Sequence, residues 1–250
     1  MASKIYIFGD SHTRAFAFRK DIVPLFVDKG NKFNLRMNPN KMVARILEVY
    51  SKCELSDSDE VYLYFGEPDC RLQLGHGSEP DRNLDGVLPN KHRLHYVVRE
   101  SKVDTDYLDT SIKNYLEVIR LIDKKIPQSV KLITPTTGYP PVFEAMRYFI
   151  ETLRMSLPSN IVMVDTFNNV FNSSGDVYPE YLDTRMRSEG DPIDRVHLNS
   201  KISEVFISEL QSMGFCKAGD YTYTKDSIVT SDSLKSRFKK NERFGTYTLI

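Results

Sequence analysis

Tryptophan is absent from the 250 residues, cysteine occurs only three times, and basic and acidic side chains cancel at 34 each. Each shortage excludes something. The cysteines Cys53, Cys70 and Cys216 are odd in number, far apart and without a C-x-x-C pair, so neither a disulfide framework nor a zinc-thiolate site is expected. Such usage suits a reducing compartment. A formal net charge of zero leaves no whole-chain field to gather nucleic acid or anionic lipid. Nucleic-acid and membrane partners are therefore not expected. No apolar run approaches the roughly 18 residues of a bilayer span, and the N-terminal MASKIYIFGD lacks the apolar stretch and cleavage site of a secretory leader. The expected location is cytoplasmic. Glycine and proline at 12 each and a 27% charged fraction are ordinary globular values, which excludes collagen-like repeats and wholesale disorder.

What remains is a chain long enough to bury a sizeable core in one large or two small domains. Five short apolar runs read as strands buried on both faces: residues 4–8 (KIYIF), 33–37 (FNLRM), 60–65 (EVYLYF), 130–134 (VKLIT) and 161–165 (IVMVD). Between them the apolar period lengthens to that of a helix. Met42, Val43, Ile46, Leu47 and Tyr50 form one stripe, Ile112 to Ile122 a second, Val142 to Leu153 a third and Ile202 to Met213 a fourth. Asn199 or Ser200 can cap the last helix, and Gly214 stands where a terminating glycine belongs. A further helix is expected over 12–20. Alternation of this kind predicts an α/β domain with a parallel sheet over residues 1–214. The polar extension 215–250 carries a basic run near Lys235 to Arg243, read as a solvated terminal helix. Two long connections, roughly 71–108 and 167–198, are of the length that usually covers a site.

Three clusters follow predicted strands, on the edge where open α/β sheets bind ligands. The first is Gly9-Asp10-Ser11-His12, where a serine on a strand-to-helix turn holds its hydroxyl clear of the sheet, beside its own backbone N–H. The second is Gly66-Glu67-Pro68-Asp69-Cys70-Arg71. The third is Asp194-Arg195-Val196-His197, in the loop expected to feed the last helix. A serine hydroxyl needs a neutral imidazole to take its proton, and the imidazole needs a carboxylate to orient it. Ser11, His197 and Asp194 supply those roles. Taken singly, each cluster has an explanation in turn chemistry and capping; taken in this order, they point to a hydrolytic site.

With those residues in place, the chain resembles the SGNH (GDSL-type) hydrolases. IYIFGDSH is similar to their first block, FGEPD stands at their G-x-N-D block, and DRVHLN resembles their D-x-x-H block. The resemblance covers roughly residues 4–214. It implies a flavodoxin-like three-layer sandwich with a five-stranded parallel sheet, and a serine esterase that hydrolyses or transfers an acyl group. O-acetyl esters of carbohydrates are the substrates it suggests. It assigns Ser11 as nucleophile, His197 as base, Asp194 as orienting acid, and the backbone N–H groups of Ser11 and Gly66 as the oxyanion hole. Two departures stand out. Pro68 occupies the place of the family's oxyanion-binding asparagine, and the second block's glycine has no clear match, with only Asn38 or Asn40 available after the second predicted strand.

Arg71 and Arg14 are candidates to replace the missing amide or to bind an anionic substrate, with a surface ion pair as the plainer alternative. Asp69 is expected to pin its loop by accepting backbone N–H bonds or to pair with Arg71 or Arg14, and Cys70 to be a small buried residue. Tyr139 and Tyr96 offer stacking faces to a sugar, and His92, Arg93 and His95 belong to the polar 71–108 connection, which suits a carbohydrate better than a lipid. No cofactor or metal is implied; the expected partner is a small-molecule or glycan ester, and homo-oligomerisation stays open. Two other readings compete. Asp10 and His12 form the D-x-H pair that opens a metallophosphoesterase site, although the rest of that signature is missing. An SGNH-like domain with a weakened oxyanion hole also suits a glycan-binding or assembly module without turnover.

Overall fold

The computed structural model describes residues 3–16, 19, 21–27, 34–73, 103–138, 140–183, 194–216, 238–241 and 246–249. For Ser11, Arg14, Asp183, residues 194–197 and the last two segments, it describes the backbone alone. Its centre is an all-parallel sheet in the order β2-β1-β3-β4-β5. The strands are β1 (Ile5–Gly9), β2 (Ile22–Phe26), β3 (Glu60–Tyr64), β4 (Val130–Ile133) and β5 (Met163–Val164). β1 is paired on both sides, with Gly9 opposite Phe26 on one neighbour and Tyr64 on the other. This is the expected flavodoxin-like order.

The second strand is not where the apolar pattern put it. Residues 34–37 form a turn, in which the Asn34 carbonyl accepts from Met37 N–H at 3.1 Å and its side chain from Arg36 N–H at 3.0 Å. β2 is instead IVPLF, which contains Pro24. Proline is tolerated there because β2 is an edge strand of the sheet. Asp21 C=O and Val27 N–H bond inward to β1, so the alternation of the ladder turns the even-numbered backbone groups, Pro24 included, outward. No bond to β1 is lost.

Helices α1 (Pro39–Tyr50), α3 (Thr105–Asp123) and α4 (Phe143–Ser156) pack side by side on one face. Between β3 and α3 lies the short α2 (Glu67–Leu72). The opposite face carries α6 (Ile202–Ser212) and a 3₁₀ turn (Ser11–Phe16), where a longer helix over 12–20 was expected. Alternation along β3 serves both layers. Tyr62 meets Phe206 of α6 edge-on and Tyr64 meets Phe16 of the 3₁₀ turn, while Phe65 meets Tyr115 of α3. α6 ends as its sequence predicts: Gly214, at φ 76°, lets Phe215 N–H reach Leu210 C=O at 2.9 Å and Gly214 N–H reach Gln211 C=O at 3.0 Å. Asn199 accepts from Lys201 N–H at 2.9 Å just ahead of the helix.

Beyond β5 lie the one-turn helix α5 (Phe167–Val170) and a two-stranded antiparallel pair, β6 (Leu182–Asp183) and β7 (Asp194–Leu198). In the C-terminal extension, where a helix was expected, the described residues form an antiparallel pair, β8 (Phe238–Asn241) and β9 (Thr246–Leu249). Among the described residues, no helix is long and apolar enough to cross a membrane.

Gly9 sits where β1, β3 and the 3₁₀ turn come closest. A Cβ there would stand 2.3 Å from Tyr64 O and 2.5 Å from Thr13 Cγ2. Overpacking of this kind costs about 1–3 kcal/mol, so Gly9→Ala should lower the melting temperature by about 2–12 °C at this chain length. Calorimetry checks it; an unchanged transition would mean that Tyr64 and Thr13 can move aside.

Candidate active site

The carboxyl ends of β1, β3 and β4 converge on one edge of the sheet. At the end of β1, Asp10 shapes the turn that presents Ser11. Its side chain accepts from His12 N–H at 2.9 Å, and its carbonyl accepts from Thr13 N–H at 3.2 Å and from the Thr13 hydroxyl at 2.8 Å. Short polar residues favour this local bonding. At the end of β3, Gly66 adopts φ 121°, and a Cβ on it would lie 2.8 Å from Phe149 Cε1. Only glycine suits that position. Pro68 follows in the first turn of α2, where its missing N–H leaves no helix bond unmade.

Glu67 is 1% exposed and carries a dense set of contacts. Arg71 donates from Nε to Oε1 at 2.9 Å and from Nη2 to Oε2 at 3.1 Å, and the Thr137 hydroxyl donates to Oε1 at 3.2 Å. His12 Nε2 lies 2.9 Å from Oε2, with both side chains buried. Burial by itself would raise the Glu67 pKa, but the charges of Arg71 and His12 outweigh it and hold the carboxyl well below the usual range.

Two neighbouring carboxyls behave in the opposite sense. Burial pushes Asp69 up to about 7, against the bonds it accepts from Leu35 N–H at 3.0 Å and the Ser111 hydroxyl at 2.9 Å. Burial also pushes Asp10 up to about 6, with His12 opposing and Glu67 adding to the shift. Both border a shallow, closely packed recess lined by Leu35, Met42, Phe65, Gly66 and Pro68.

The 3₁₀ turn that begins at Ser11 is in contact with β7, which carries Asp194 and His197. These two were expected in a loop but lie in a strand. The β6–β7 ladder is irregular, since pairing passes from Leu182 opposite Leu198 to Asp183 opposite Asp194, a one-residue step on β6 against four on β7.

Other expected residues fall elsewhere. Arg71 is engaged with Glu67, and Asp69 accepts from Leu35 N–H and from the Ser111 hydroxyl. Cys70 is fully buried. Exposed Asn38 caps α1, accepting from Asn40 N–H at 3.0 Å, and Asn40 is an exposed residue of the first helical turn. With β2 at Ile22–Phe26, the stretch after it runs into residues 28–33, outside the described residues. Also outside them are Tyr139, the Arg14 side chain, and His92, Arg93, His95 and Tyr96. Asp10 and His12 are committed to the turn and to Glu67, and no group of three or more potential metal ligands occurs among the described residues. The contact that sequence reasoning missed is that between Glu67 and His12. Its one local sign was the i,i+4 spacing of Glu67 and Arg71.

No protein-family model and no curated protein sequence matches the chain. Solved structures do. A protein assigned as an acylhydrolase from Bacteroides fragilis aligns over 84% of this chain and 86% of its own at 13% identity, with a TM-score of 0.50. A member of the lipolytic G-D-S-L family from Veillonella parvula aligns over 86% and 100% at 16% identity, with a TM-score of 0.46. A catalytic mutant of an acetylxylan esterase from Geobacillus stearothermophilus aligns over 90% and 99% at 16% identity, with a TM-score of 0.45. At these identities the likeness is one of fold.

Asp69 gives a testable pH dependence. Its folded pKa, near 7, lies above the unfolded value of about 3.9. The stabilisation it contributes is therefore complete below about pH 4 and is lost as pH rises through about 7. Asp69→Asn should flatten the melting-temperature profile between pH 5 and 8 relative to wild type, as read by thermal denaturation. An identical slope in both proteins would show that Asp69 does not titrate in that window.

Proposed function

We propose that this chain, which has the fold of the SGNH hydrolases, is a serine esterase with Ser11 as nucleophile, His197 as general base and Asp194 as the acid that orients it. One observation carries the reading: the turn beginning at Ser11, at the carboxyl end of a central strand, is in contact with the strand bearing Asp194 and His197. The order of the three motifs along the chain supports it as well.

In the proposed reaction, His197 takes the hydroxyl proton as Ser11 Oγ attacks the ester carbonyl, and the backbone N–H groups of Ser11 and Gly66 receive the developing oxyanion. The imidazolium returns the proton to the departing alkoxide, leaving an acyl-serine. Water, deprotonated by the same imidazole, then releases the carboxylic acid; an alcohol in its place gives acyl transfer. The substrate we favour is an O-acetyl ester of a carbohydrate. The polar 71–108 connection suits a sugar better than a lipid. Arg71 and Arg14 stay candidates for contact with an anionic substrate.

Pro68 favours one second reading, a glycan-binding or assembly module with little turnover. It removes an oxyanion donor, a loss that typically costs about 10²–10³ in rate. A fluorophosphonate probe separates the two. The esterase should be labelled, and should hydrolyse small acetyl esters, with both properties lost in Ser11→Ala. A wild-type protein that is neither labelled nor active would leave the module.

The rate should also depend on pH. Because the base acts as neutral imidazole, kcat/KM should fall as pH drops through the imidazole range, near 6.5 for an unperturbed histidine. A rate indifferent to pH from about 5 to 8 would count against His197.

A further inference from the structure

We infer that Glu67 is a positioning residue, which holds the backbone amides of Ser11 and Gly66 at a fixed spacing by joining the residues that follow them. This rests on the esterase reading, because those amides form the oxyanion hole only there. The geometry is specific. Ser11 lies between Asp10 and His12, which are joined by the bond from His12 N–H to the Asp10 side chain at Oδ1, 2.9 Å. His12 Nε2 in turn meets Glu67 Oε2 at 2.9 Å. Gly66 directly precedes Glu67, so one carboxylate connects the residue after each amide.

The clamp is backed on two further sides. Arg71 reaches both Glu67 oxygens from the far end of α2, and Thr137, beyond β4, donates to Oε1 at 3.2 Å. Three strand exits are thereby tied to one buried group. An oxyanion hole that has lost its side-chain amide to Pro68 depends on main-chain donors, and main-chain donors can be placed only by what holds their strands. A misplacement of about 1 Å is enough to cost about 10²-fold in rate.

The test uses the full chain, with kinetics and hydrogen–deuterium exchange run in parallel. Glu67→Ala should lower kcat for a small acetyl ester about 10²-fold, with KM within about threefold of wild type. Glu67→Gln, which keeps the shape and one accepting oxygen, should recover part of the loss. In both variants, exchange should quicken in peptides covering 9–16 and 65–72, more in the alanine variant. Ile122→Val, a core truncation in α3, should leave those peptides unchanged and serves as the control for general loosening.

An active wild type whose kcat is unaltered in Glu67→Ala overturns the inference and leaves the esterase reading intact. A loss confined to KM also overturns it, since Glu67 would then bind substrate. An inert wild type with quickened exchange in the two peptides removes the esterase reading but supports the clamp. An inert wild type with unchanged exchange removes both. Should Glu67→Ala fail to fold, Glu67→Gln supplies the same two readouts.

Discussion

A carboxylate withdrawn from water at the rim of a sheet persists only if cations and hydrogen-bond donors replace its hydration. Glu67 meets that demand with groups from three separate strand exits: His12 after β1, Arg71 at the end of α2 and Thr137 after β4. The arrangement therefore does more than neutralise a charge. It links the turn after β1 to the one after β3 and to the exit of β4. Gly9 and Gly66 make the same edge compact from the backbone side, one by close approach of the Tyr64 carbonyl and one by its positive φ against Phe149.

The three buried carboxyls at this edge occupy nearly one environment but divide by their partners. Glu67 has the Arg71 guanidinium on both oxygens and is held ionised; Asp69 has a backbone N–H and a hydroxyl, and Asp10 chiefly its own turn. Neutral donors compensate burial less than charges do, so the two aspartates stay near the point of protonation. Close to neutrality Asp69 is thus only partly ionised.

Much of the fold was legible because burial on both faces writes strands as short continuous apolar runs. β1, β3, β4 and β5 follow from that rule, as do α1, α3, α4 and α6 from their stripes. β2 escaped because Pro24 reads as a strand breaker, while the alternation of Phe33, Leu35 and Met37 imitates a strand. Leu35 is in fact a buried turn residue tied to Asp69. That error carried the second-block search to Asn38, a helix cap. At the site, the order of motifs anticipated which strand ends would meet, and Asp69 was read correctly as an acceptor of backbone N–H. Glu67 was passed over, since its partners His12 and Thr137 come from other strands and only three-dimensional closure brings them together.

Pro24 has a consequence outside the site. The outer side of β2 has one position with no N–H to give, so any strand laid along it would meet an interrupted ladder. β9 of the C-terminal extension lies against this buried strand without being hydrogen-bonded into its sheet, so the residue that obscured β2 in the sequence also marks where the parallel sheet ends.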